Sequence, residues 1–164
     1  MLTNIPYNRD AVLEYAKKWA LSRNPKYLNF DNMGGDCTNF ASQCIYAGCG
    51  VMNYTPVYGW YYIDGNRRSP SWTGVQFLYN FLINNKSVGP YAVLVDRQNI
   101  QAGDIVQLGD ANNRFYHTPV VTGIRDGRIY VAAHTFDVYM RPLDTYVYST
   151  IRYLHILGAR KYTN

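Results

Sequence analysis

Apolar side chains at Val12, Tyr15, Ala16, Trp19 and Ala20 recur at three- and four-residue intervals, which predicts a helix from Arg9 to Ser22, ended by Asn24-Pro25. Cys37, Phe40, Ala41, Cys44 and Ile45 repeat the pattern and predict a second helix over Cys37 to Ala47, closed by Gly48. A third stripe, Val75, Leu78, Tyr79 and Leu82, follows Ser71, a residue suited to cap it. After Gly89-Pro90 the pattern becomes that of strands, over 91–95, 104–108, 117–124, 129–133 and 150–157. Helices first and strands afterwards predict an α+β fold whose C-terminal half is an antiparallel sheet. With no internal repeat, low-complexity segment or linker, one domain over 1–164 is expected.

One turn in that sheet carries register information. Asp126-Gly127 sits between Arg125 and Arg128, and an Asp-Gly pair flanked by β-formers is a strong hairpin signal. Pairing Arg125 with Arg128 and continuing without interruption sets His117 opposite Phe136 and His134 opposite Pro119. Both histidines then project from one sheet face, while Asp137 points to the other. Pro119 cannot donate to a ladder, so an edge or a bulge is expected there. The third histidine, His155, lies in the late apolar run and reads as structural or exposed.

The chemistry concentrates just before the second helix, in Gly34-Gly35-Asp36-Cys37-Thr38-Asn39-Phe40-Ala41-Ser42-Gln43. Two glycines permit a sharp turn, and Asp36 reads as the N-cap. Cys37 then falls in the first turn, where free N–H groups and the helix dipole favour a thiolate. A thiolate nucleophile needs a histidine to protonate its leaving group and a third group to orient that histidine. The predicted register offers His117 as the base and His134 as the orienting group. Asp137 takes that role if an odd loop or a bulge flips the face.

Composition adds limits. Of 164 residues, 48% are hydrophobic and 16% charged, enough for a proper core. No apolar run is long enough for a membrane span, and Met1 to Asn8 lacks the basic-then-apolar pattern of a signal peptide. A mature domain acting outside the cell or at its wall remains compatible with that. Three cysteines without a C-x-x-C pair argue against a disulfide framework and a zinc site. Asp31 and Asp36 lack the spacing of a calcium loop, and no cofactor is expected. Net charge is +5, but Lys and Arg are scattered, so no nucleic-acid partner is expected. An aromatic-rich loop over 50–70, with Tyr58 and Trp60, either offers faces for stacking on sugars or peptides or covers the core of a small domain.

Taken with Ser71-Trp72-Thr73, Ala102-Gly103-Asp104-Ile105-Val106, His117 and His134-Thr135, the glycine–cysteine segment resembles the bacterial "putative amidase domain" family. That family is similar to the NlpC-type and CHAP cysteine hydrolases of the papain-like superfamily. The resemblance covers nearly the whole chain, and Gly-Asp-Cys-Thr-Asn-Phe is its specific part. It implies a papain-like fold, with N-terminal helices packed on a C-terminal antiparallel sheet. It also implies a hydrolase acting on amide bonds of cell-wall peptides, the peptidoglycan stem peptide being the expected substrate; a monomer is expected. Carried over, Cys37 is the nucleophile, His117 the base and His134 the orienting group. Separately from the resemblance, Tyr58, Trp60 and Trp72 are expected to line the substrate site. The oxyanion is expected to meet the Cys37 N–H and one more donor, for which Asn32, Asn39 and a neighbouring amide are candidates. Two rivals stand beside this reading: an acyltransferase using the same thioester, and a non-catalytic wall- or glycan-binding module.

Overall fold

Helix and strand alternate in the order β1 (Leu2–Ile5), α1 (Arg9–Trp19), α2 (Cys37–Cys49), β2 (Tyr62–Asp64), β3 (Arg67–Arg68), α3 (Pro70–Thr73), α4 (Val75–Asn84), β4 (Gly89–Val95), β5 (Ile105–Gly109), β6 (Phe115–His117), β7 (Val120–Arg125), β8 (Arg128–Ala133), β9 (Val138–Pro142) and β10 (Thr150–Tyr162). The computed structural model describes residues 1–164. No helix is long and apolar enough to cross a membrane.

The result is an α+β fold on an antiparallel sheet in the order β1-β10-β5-β7-β8-β9, with β4 added to β10 and β6 to β5; β2 and β3 form a separate ribbon. β10 organises the sheet. Along one edge it pairs with β5 through Thr150–Leu154 and with β1 through Ala159–Tyr162, and along the other with β4. Helices cover one face, where Val12, Phe40, Cys44, Ile45, Leu78 and Leu82 meet Ile105, Val120, Leu154 and Ile156. A smaller cluster with Val106, Leu108, Val121, Ile129 and Leu143 fills the other face. β5 is buried on both faces and apolar except at Gln107, whose side chain is hydrogen-bonded to Val75 O, Thr118 Oγ1 and Arg152.

Arg9 and Asp104 bind the two halves together. The fully buried Asp104 carboxylate accepts from Arg9 Nη1 at 2.8 Å, from Ile156 N–H and from Gln101 N–H, and stands 2.8 Å from His155 Nδ1. His155 is therefore part of a structural joint between α1, β5 and β10.

Several boundaries differ from those the sequence predicts. α1 stops at Trp19, and α2 runs two residues past Ala47 and closes on Gly50 at φ +67 rather than on Gly48. The third helix is split at Gly74, with Ser69 and Pro70 beginning its first piece, so Ser71 is a helical residue rather than a cap.

The hairpin differs more consequentially. Arg125 does face Arg128, and Ile124 faces Ile129, as the Asp-Gly turn requires. A bulge at Thr122 then shifts every later pair by one residue, so Val120 faces Ala132 rather than Ala133. Ahead of it the strand breaks at Thr118-Pro119, and His117 leaves β7 to pair with Leu108 of β5. The common face predicted for His117 and His134 is lost at these two irregularities.

Candidate active site

Gly34 at φ +98 and Gly35 at φ +105 turn the chain into α2 through backbone conformations that L side chains rarely adopt. They set Cys37 at the first helical position, where its N–H has no acceptor within the helix. Asp36 occupies the capping position but makes no side-chain cap bond. Its carboxylate is instead buried and reaches back across the turn. It accepts from Phe30 N–H at 2.8 Å and from Asn39 Nδ2 at 2.9 Å, and lies 2.5 Å from His134 Nδ1. Burial alone raises the Asp36 carboxyl. The bonds from His134, Asn39 and Phe30 outweigh it and hold the group below its ordinary value.

His134 does not orient His117. Its Nδ1 faces Asp36 and its Nε2 donates to the Trp19 carbonyl at 2.8 Å, so both ring nitrogens are committed. Both partners are hydrogen-bond acceptors for His134, so neither ring nitrogen is left to hold His117. The ring also stacks on Phe40 at 4.1 Å between centroids. Arg23 approaches Asp36 at 3.4 Å and takes Asp137 in a two-pronged pair at 2.8 and 3.0 Å. Asp137 thus stands exposed at the rim of this network, committed to Arg23 rather than to His117.

Cys37 Sγ lies on the opposite side of the helix start, against the end of β6. Its neighbours are Thr38 Oγ1 at 3.7 Å and the Tyr116 carbonyl at 4.0 Å, and the Thr118 N–H also reaches it. These two backbone groups flank His117 on either side, so the strand that carries the imidazole is the one that contacts the thiol. Thr38 and Thr118 lock the approach with a hydroxyl–hydroxyl bond of 3.1 Å.

The electrostatics depart from the predicted ion pair. Burial raises the Cys37 thiol above its ordinary value, partly offset by the Thr118 and Thr38 donors. Burial, helped by the Arg141 guanidinium, pulls the His117 imidazole down to about 4. Both shifts favour the uncharged forms, thiol and imidazole, at neutral pH.

Two residues that the sequence reading passed over stand beside His117. The Tyr146 ring centroid lies 5.6 Å from that of His117, and Arg141 sits 3.8 Å over the Tyr146 ring. Arg141 is held by two bonds to Thr145, at 2.8 and 3.0 Å. Both belong to β9 and the turn after it, a segment without apolar alternation that gave no strand signal.

Other expectations need correction. Trp60 and Trp72 have no solvent exposure and pack on each other at 4.6 Å, with Trp60 Nε1 donating to Ser42 and Trp72 Nε1 to Asn39. They are core residues; only Tyr58, 84% exposed, is free to touch a ligand. Asn39 is likewise spent, donating to Leu28 O and Asp36 while accepting from Trp72, so it is not the second oxyanion donor. Cys44 and Cys49 are free and buried, and no group of three or more His, Cys, Asp or Glu side chains is arranged to hold a metal ion.

The family described as "putative amidase domain" matches residues 6–157. Two Bacillus subtilis (strain 168) proteins are similar. One is the uncharacterized protein YhbB, 34% identical over 139 residues, covering 82% of this chain and 43% of that protein. The other is the uncharacterized protein YjcM, 25% identical over 137 residues, covering 79% of this chain and 31% of that protein. The chain therefore spans less than half the length of either relative. No solved structure matches.

Proposed function

From the premise that this chain belongs to the "putative amidase domain" family, we propose that it is a cysteine-dependent amidase or peptidase with Cys37 as nucleophile and His117 as its base. The observation that carries this reading is the contact of Cys37 Sγ with the backbone on both sides of His117, at a helix start with a free N–H.

In this reading a substrate carbonyl enters beside Sγ, and His117 removes the thiol proton as the carbon–sulfur bond forms. The oxyanion meets the Cys37 N–H. His117 then gives its proton to the departing amine, leaving a thioester. A water deprotonated by the same imidazole attacks it, releasing the acid and restoring the thiol. At neutral pH the imidazole is free of its proton and can accept one, while its lowered value and the raised thiol oppose that transfer in the substrate-free chain. Asp36, Asn39 and His134 are positioning residues that hold the turn carrying Cys37. The papain-like assignment, with 1–164 as one domain, belongs to this proposal, as do the NlpC-type and CHAP likeness, the monomeric state and peptidoglycan stem peptides as substrate. A basic chain, +5 overall, is suited to an anionic polymer of that kind.

The test is turnover of stem peptides and small amides, followed by mass spectrometry, for the parent chain against Cys37→Ala and His117→Ala. Loss of turnover in both, with folding intact by circular dichroism, supports the reading; undiminished turnover in Cys37→Ala removes it.

A further inference from the structure

A groove of about 670 Å³ runs along the exposed side of α4, bordered by the loop between Asn53 and Trp60. That is the size range of small-molecule sites, roughly 300–1,000 Å³. Neither Cys37 nor His117 lines it. Three features define its chemistry.

The first is a pair of aromatic faces left in solvent. Phe77 on α4 is 57% exposed, and Tyr58, on the facing loop, is 84% exposed. The loop presenting Tyr58 is built rather than loose. Asn53 and Trp60 exchange both backbone bonds, Gly59 N–H donates to Thr55 O, and Thr55 N–H donates to the Asn53 side chain. Tyr58 N–H donates to Pro56 O across Val57, which is held at φ +66. Such a conformation is an outlier for a β-branched residue and costs energy that the loop repays elsewhere. At Gly59 a Cβ would stand 2.2 Å from Asn53 O, so the close turn beside Tyr58 admits only glycine.

The second feature is a matched donor and acceptor one turn apart. Asn80 Oδ1 accepts from Gln76 Nε2 at 2.9 Å, and its Nδ2 has no protein partner. Asn84 Nδ2 donates to Asn80 O at 2.8 Å, and its Oδ1 has no protein partner. One free N–H donor and one free carbonyl acceptor complement the C=O and N–H of an acetamido group.

The third is charge. The groove lining contains no carboxylate, and Lys86 is its single charged residue. A cationic ligand meets no carboxylate there and is repelled by Lys86, whereas a neutral or weakly acidic one is not.

We infer that this groove is a subsite for an N-acetylated oligosaccharide, with Tyr58 and Phe77 stacking on sugar faces and Asn80 and Asn84 reading the acetamido group. Aromatic rings with polar amides alongside are what a ring with an apolar face and a polar rim requires. The subsite is also joined to the candidate active site. Gln107 Nε2 donates to the Val75 carbonyl at the start of α4 and to Thr118 Oγ1, which bonds Thr38 beside Cys37.

The experiment is an NMR titration of the whole chain with two probes, the tetramer of N-acetylglucosamine and the tetramer of glucose. The N-acetylated tetramer is expected to shift resonances of α4 and residues 55–59 and to bind at least tenfold tighter than the glucose tetramer. Phe77→Ala and Asn84→Ala should each weaken it at least threefold; both side chains are exposed, so the fold should survive. Cys37→Ala should bind as the parent does, which separates this inference from the proposed reaction. No binding of either tetramer at millimolar concentration, equal binding of both, or binding indifferent to Phe77→Ala and Asn84→Ala overturns it.

Discussion

His134 Nδ1 stands 2.5 Å from Asp36 Oδ2, both buried, joining residues 98 positions apart at the turn that delivers Cys37 to its helix. Removing one partner of this buried pair leaves the other's polar group unsatisfied, which costs about 1–3 kcal/mol and more where that group is charged. Asp36→Ala and His134→Ala should each lower the thermal midpoint sharply. By contrast Asp137→Ala removes only an exposed pair with Arg23, worth about 0–1 kcal/mol, and should leave stability and turnover near the parent values. Thermal melts of the three variants decide it, and a large loss from Asp137→Ala would contradict the geometry.

His117 gives the chain a pH signature. Its folded value, about 4, lies below the ordinary 6.5, so the folded state holds fewer protons than the unfolded one. Stability from this group is complete above about pH 6.5 and falls as pH drops towards 4, by at most about 3 kcal/mol. His117→Asn should flatten that part of the stability curve, read by denaturant unfolding at pH 4.5 and 7. For any turnover, the acid limb of kcat/KM should lie nearer pH 4 than pH 6.5.

Thiol labelling should rank the cysteines. All three are buried, and burial pushes Cys49 up to about 11 and Cys44 well above its ordinary value. Cys37 is also raised, yet the Thr118 and Thr38 donors lie against its sulfur. Iodoacetamide should therefore modify Cys37 first, slowly at pH 7 and faster as pH rises through 9. Peptide mapping after brief exposure reads this; Cys44 or Cys49 labelled ahead of Cys37 would contradict it.

The two aromatic residues of the 50–70 loop should separate cleanly. Trp60→Ala empties a fully buried site and should cost about 3–5 kcal/mol. Tyr58→Ala, at a side chain almost wholly in solvent, should stay within about 0.5 kcal/mol. Denaturant midpoints measure both.

The helix stripes made α2 legible because Phe40, Ala41, Cys44 and Ile45 repeat at the helical period and the glycine pair marks where it starts. The same reasoning recovered the Arg125–Arg128 turn, since an Asp-Gly pair fixes its own geometry. It failed at Thr122 because a bulge adds a residue without disturbing the apolar run, and the parity of everything beyond it changes. Thr122 bonds Tyr130 O and Met140 Sδ, partners that local alternation does not encode. β1 and β9 are short edge strands and left no periodic trace. The aromatic-rich loop misled for a related reason: composition counts Trp60 and Tyr58 alike, while only packing separates a core ring from an exposed one. The Asp36–His134 pair was out of reach because nothing local to either residue names the other.

The central claim is that Cys37 forms a covalent acyl intermediate, and intact-protein mass spectrometry of rapidly quenched mixtures with stem peptides and small activated amides addresses it directly. The account predicts a mass increase equal to the acyl half of the substrate, labile to hydroxylamine, mapped to Cys37 and absent from Cys37→Ala. Product formation by Cys37→Ala at the parent rate, or an adduct mapped to Cys44 or Cys49, would contradict it.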